Sequence, residues 1–107
     1  MTSKQVERKP TVKYRLKFVP DAWREWQALD GSIKLVLKPL LAKRLQNPHV
    51  PGALLHRELA GWYKIKLLKQ GCRLVYVVED DELVVLVLSV GKRENNAAYL
   101  AATKRIK

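Results

Sequence analysis

An α+β fold is predicted for this chain, on three observations. Residues 13–19, KYRLKFV, alternate apolar and polar with the period of a strand. Residues 20–46 repeat their apolar positions at helical spacing. Three further strand-like runs, about 62–68, 72–79 and 83–90, are separated only by KQG and EDDE. The predicted order is an N-terminal strand, a helical hairpin, a three-stranded antiparallel meander and a short C-terminal helix.

In the first strand, Tyr14, Leu16 and Phe18 face one way, and Lys13, Arg15 and Lys17 the other. Pro20 and Asp21 mark a helix start, since proline suits the first helical position. Ala22, Trp23, Trp26 and Leu29 form its core stripe, while Arg24, Glu25 and Gln27 point outward. DGS at 30–32 breaks the helix, and Ser32 is placed to cap the next one. That helix runs to about Gln46 with Ile33, Val36, Leu37, Leu40, Leu41 and Leu45 on one face. Pro39 should kink it or start a new segment after Lys38. NPHVPG, residues 47–52, reads as a loop. The last meander strand is apolar on both faces, which suits a central position. After Gly91 come a polar turn and an Ala-rich helix.

A chain of 107 residues with 48% apolar content makes one domain with a small core, here 13–107. Residues 1–12, polar, basic and without period, are expected to be a flexible arm. The single cysteine, Cys72, excludes an internal disulfide and fits a reducing cytoplasm. No signal peptide is expected, and Leu83–Val90, the longest apolar run, is too short to span a bilayer. The net charge of +11 points to a polyanion, with nucleic acid first and an acidic protein second. A membrane partner is not expected, because the helical apolar stripes read as core.

The hairpin YKIKLLKQGCRLVY carries the candidate site. With Gln70–Gly71 as the turn, Lys69 faces Cys72 and Lys66 faces Val75. Lys64, Lys66 and Arg73 then share one face, and Ile65, Leu67, Leu74, Tyr76 and Val78 fill the other. A three-residue loop would move Arg73 to the opposite face and mix charge into the core, at the cost of burying it. Lys92 and Arg93 are expected nearby at the end of the last strand, with Tyr99 brought over the sheet by the C-terminal segment. Lys92, Lys104 and Arg105 are candidate RNA contacts. A solvated basic face is the plain alternative.

The chemistry available to such a site is narrow. The sequence has no phosphate-cradling glycine loop, no paired carboxylates and no Ser/His/Asp set. His49 and His56 lack Cys, Asp or Glu partners at metal spacing, so neither a metal nor a cofactor is expected. Attack of an RNA 2′-hydroxyl on its own 3′-phosphate needs none of these. A lysine among other cations has its ammonium form disfavoured and can act as a base. Arginines stay charged and suit the phosphate oxygens. Lys66, nearest the hairpin end and Arg73, is the expected base.

The blocks REWQAL, NP, YKIKL, RLVY and SVGKRE, in this order and spacing, resemble the RelE toxins of bacterial type II toxin–antitoxin systems. The likeness runs from about Tyr14 to Ile106. It implies a RelE-like microbial RNase fold. It also implies a ribosome-dependent mRNA endonuclease that cuts the A-site codon on the 70S ribosome, leaving a 2′,3′-cyclic phosphate and inhibiting translation. On this resemblance Lys64 and Lys66 take part in catalysis, and Arg73 binds phosphate. Arg93 stabilises the transition state or donates a proton, and Tyr99 stacks on a base or helps proton transfer. The implied partners are a cognate RelB-like antitoxin, the ribosome with its mRNA, and operator DNA only through the antitoxin complex, with transcriptional autoregulation. The chain departs from the family at Asn95 and Ala60, where basic residues are usual, in a short loop between Leu59 and Tyr63, and in Pro39 and the long arm. Two alternatives stand beside this reading. One is a non-nuclease RelE/ParE-like binding module, either a gyrase inhibitor or a decayed toxin. The other is a basic ribosome-binding protein.

Overall fold

The computed structural model describes residues 14–55, 62–92 and 97–105. The expected arm at 1–12 lies outside them, as do His56, Arg93 and Asn95. The elements are β1 (Arg15–Phe18), α1 (Pro20–Ala28), α2 (Gly31–Gln46), a 3-10 turn (Pro51–Ala53), β2 (Trp62–Leu67), β3 (Cys72–Glu79), β4 (Val84–Lys92) and α3 (Ala97–Arg105).

The α+β class holds, and the meander joins β1 in one sheet of order β1-β4-β3-β2. β1 runs parallel to β4, and the other neighbours are antiparallel. β4 is therefore interior, as its two apolar faces require. A bulge at Leu88, between the pairs Val75–Ser89 and Tyr76–Val87, turns Leu88 and Ser89 toward the same face.

The two faces carry different loads. Tyr63, Ile65, Leu67, Leu74, Tyr76, Val85 and Val87 pack with Ala22, Leu37 and Leu41 of the helical hairpin. Val75 and Leu88, on the other face, pack with Ala98 and Ala102 of α3. Alanines let α3 lie close to the sheet. Beyond α3 this second face is free to carry charge.

Several local expectations are corrected. The β2–β3 loop is Leu68–Gly71, not a two-residue turn: Leu67 pairs with Cys72, and Lys66 with Arg73 rather than Val75. Gly71, at φ 64°, takes the left-handed position that closes the loop. The register moves by two residues, so every side chain keeps its face. Asp30, not Ser32, is the N-cap residue of α2; Ser32 lies in the first turn and its hydroxyl donates to the Asp30 carboxylate. α2 continues through Pro39 without a new segment. Leu35, whose carbonyl loses its helical donor to the proline, and Pro39 are both on the exposed side of the helix.

Trp23 is 46% exposed and does not join the core. It meets Phe18 edge-on at 5.3 Å. With Leu16, Phe18, Trp26, Leu41 and Leu45 it lines an apolar groove of about 300 Å³ beside the edge strand β1. Glu25 does not project into solvent either. It receives two hydrogen bonds from the Arg105 guanidinium, each 2.8 Å, and one from the Val90 amide at 3.1 Å. Among the described residues no helix is long and apolar enough to cross a membrane.

Candidate active site

Lys64 and Lys66 alternate with the buried Tyr63, Ile65 and Leu67 along β2, so strand geometry alone puts both on the face that α3 partly covers. Across the ladder Lys64 pairs with Val75 and Lys66 with Arg73; Arg73 in turn pairs with Gly91 of β4. The row Lys66, Arg73, Gly91 has no side chain at its far end. Arg73 itself is only 9% exposed.

The electrostatics of this face are those of crowded cations. Burial lowers the Lys64 pKa from the usual lysine value, and the charges of Lys66, Arg73 and Arg44 lower it further. Without an anion the face is self-repelling; a phosphate bound on it would attract each of these cations and offset that repulsion. Among the described residues, no three His, Cys, Asp or Glu side chains gather as a metal site would require.

α3 forms one wall. The Ser89 hydroxyl donates to the Ala98 carbonyl at 2.6 Å, and Ala98 packs on Val75, the cross-strand partner of Lys64. The backbone of Tyr99 follows Ala98 directly in this helix. The far end of α3 is tied by Arg105, which also donates to the Leu88 carbonyl at 2.9 Å and lies 3.7 Å from the Asp21 carboxylate.

The structure therefore gathers Lys64, Lys66 and Arg73 on one face, and the Tyr99 backbone lies in α3, which packs on Val75 of that face. Arg93 falls outside the described residues. Lys92 pairs with Cys72, whose side chain belongs to the helical-hairpin core, so its parity puts it on the opposite face from the two lysines. Lys104 is exposed at the end of α3, by Val19 and Pro20. Arg105, expected to contact RNA, instead has its guanidinium committed to Glu25 and Leu88.

Sequence reading passed over Arg44. It sits in the last turn of α2, and its Nη1 donates to the Lys64 carbonyl at 3.0 Å and to the Tyr76 hydroxyl at 2.9 Å. The Tyr76 hydroxyl donates to the carbonyl of the fully buried Pro48 at 2.8 Å. Tyr76 stacks on Tyr63 at 5.5 Å, and Tyr63 meets His49 Nδ1 at 3.0 Å. His49 Nε2 is 2.8 Å from Asp80, which also accepts from Tyr14 at 2.7 Å. This polar girder braces β2 from behind. Its residues are scattered along the chain, so no local spacing announces it; a basic residue in a last helical turn signals only dipole complementarity.

A family model described as ParE toxin of type II toxin–antitoxin system, parDE, matches residues 16–97. The mRNA interferase toxin RelE of Escherichia coli K12 is 43% identical over 93 residues, covering 87% of this chain and 97% of that protein. The free structure of an E. coli RelE double arginine-to-alanine mutant is 41% identical, with a TM-score of 0.80, and the match covers 89% of this chain and 99% of that one. The same mutant in complex with a RelB antitoxin peptide matches with a TM-score of 0.72, at 41% identity over 89% of this chain and 99% of that one.

Proposed function

The chain belongs to the RelE/ParE family of type II toxin–antitoxin toxins, and we propose that it is an mRNA endoribonuclease acting in the ribosomal A site. The observation that carries the reading is the cross-strand set Lys64, Lys66 and Arg73 on one sheet face. The E. coli relative named mRNA interferase supports the same activity.

In the proposed reaction the RNA 2′-oxygen bonds to the adjacent phosphorus and the bond to the 5′-oxygen breaks. The products are a 2′,3′-cyclic phosphate and a 5′-hydroxyl. The 2′-hydroxyl proton goes to a neutral lysine. Lys64, in place of the Lys66 expected from the sequence, is proposed as the acceptor, because burial and three neighbouring cations disfavour its charged form. The exposed Lys66, directly opposite Arg73, joins it in holding the non-bridging oxygens. Arg93 and Tyr99 are proposed from the resemblance for proton donation to the leaving oxygen and for stacking on the base. Protein-bound metal has no step in this scheme.

The partner is a cognate RelB-like antitoxin, supported by the E. coli relative bound to a RelB peptide and by the net charge of +11. The ribosome and its mRNA are the target, operator DNA is reached only through the antitoxin complex, and the cytoplasm is the site of action. A second reading, a binding module of the same fold without nuclease activity, is favoured by the ParE description of the matching family model. The presence of both lysines and Arg73 on one sheet face weighs against it. Inducing the gene alone and mapping mRNA 5′ ends separates the two. Codon-level cuts are expected; growth arrest with intact mRNA would overturn the nuclease.

A further inference from the structure

We propose that Arg44 is a positioning residue for the active face, holding the Lys64 main chain from behind the sheet and setting the charge environment of its side chain. The proposal rests on the nuclease reading for its consequence, but its geometry stands apart from it.

β2 is an edge strand, so half of its carbonyls have no strand partner. The Trp62 carbonyl accepts from the Leu55 amide at 2.8 Å. The next outward carbonyl, that of Lys64, accepts from Arg44 at 3.0 Å. The guanidinium thus pins the strand at the residue whose side chain faces the substrate. Arg44 is itself oriented by Tyr76, 2.9 Å away, which is anchored on the Pro48 carbonyl. Its Cζ lies 5.8 Å from the Tyr76 ring centroid. This chain of contacts runs from α2 through β3 to β2, all outside the basic face. Arg44 therefore acts on substrate through Lys64 and has no phosphate contact of its own.

The charge matters as well as the bond. Among the described residues, the charged groups that act on Lys64 are Lys66 on its own strand, Arg73 on β3 and Arg44 on α2, while Arg105 of α3 is paired with Glu25. Arg44 is the cation among them that lies off the basic face, on the Lys64 carbonyl and the Tyr76 hydroxyl. Its push on Lys64 persists when RNA binds, whereas the phosphate offsets Lys66 and Arg73.

The test separates bond from charge. Arg44→Gln keeps an N–H donor and loses the charge; Arg44→Lys keeps the charge; Arg44→Met serves as the neutral variant where Gln does not fold. Lys64 Nζ is titrated by NMR in the free protein with labelled lysine, and single-turnover cleavage of programmed ribosomes is followed across pH. The neutral variants should titrate Lys64 at higher pH than wild type. Their cleavage rate at neutral pH should fall with the neutral fraction of Lys64, roughly tenfold for each pH unit by which its midpoint rises, with unchanged ribosome affinity. Arg44→Lys should restore the titration midpoint and most of the rate. An unmoved Lys64 midpoint in the folded neutral variant, or an equal shift in Arg44→Lys, overturns the proposal. Wild-type protein that leaves mRNA intact sinks the nuclease reading instead, and the titration then decides the hold of Arg44 on Lys64 by itself.

Discussion

Lys66 of β2 stands directly across from Arg73 of β3. Like charges facing each other on a sheet destabilise by about 0.2–1 kcal/mol. A phosphate held between them, as the proposed reaction requires, would offset that repulsion.

Lys66→Gln should accordingly stabilise the free protein while impairing cleavage. The gain expected at low salt is roughly 0.2–1 kcal/mol, read as a higher melting temperature, and it should shrink as salt rises. A less stable Lys66→Gln protein would show that the lysine supports the fold rather than the substrate.

Lys64 gives a pH dependence with a defined sign. Its folded pKa lies below its unfolded value because burial and neighbouring cations oppose the charge. Between those two values the unfolded chain binds more protons, so stability rises with pH there. The penalty is full below the folded pKa and is relieved as pH rises through it. Lys64→Met lacks this term, so the melting-temperature advantage of that variant over wild type should narrow on the alkaline side. An advantage that is constant with pH would contradict the depressed pKa.

Arg105 and Glu25 fasten α3 to α1. Their side chains are 18% and 33% exposed, enough to weaken the pair but not to abolish it. Arg105→Met should cost about 1–3 kcal/mol, as hydrogen bonds to charged groups do. Hydrogen exchange should speed up most in 97–105, and the salt dependence of ribosome binding should stay the same. A smaller salt slope with unchanged exchange would return Arg105 to the RNA-contact role.

The two lysines divide by a conservative change. Arginine keeps the charge but does not deprotonate at working pH. Lys64→Arg should lower the single-turnover rate by about 100- to 10,000-fold, the loss of an acid/base group, and flatten the acid limb of its pH profile. Lys66→Arg should retain more activity. The reverse order would make Lys66 the base; near-wild-type rates in both would pass that role to another group.

The parts of this molecule legible in its sequence are those set by local period. Alternation in YKIKL and CRLVY was enough to put Lys64, Lys66 and Arg73 on one face, because a two-residue register error leaves parity intact. Loop length was not legible: QG resembles a tight turn, and only the ladder shows Leu68 and Lys69 joining it. Trp23 misled because its helical spacing is that of a core residue, yet it overlies the short edge strand β1 and stays half exposed. Glu25 and Arg105 are 80 residues apart, and Arg44 and Lys64 are 20 apart. Such pairs follow from tertiary packing, and local propensity carries no trace of them.

Purified protein on programmed 70S ribosomes, with end-group analysis of the mRNA fragments, tests the central claim most directly. The account predicts a cut in the A-site codon that leaves a 2′,3′-cyclic phosphate and a 5′-hydroxyl. The cut should persist in EDTA at concentrations that keep the ribosome intact, and it should be slowed when Lys64 or Arg73 is replaced. Intact mRNA, or fragments ending in a 3′-hydroxyl, would contradict it.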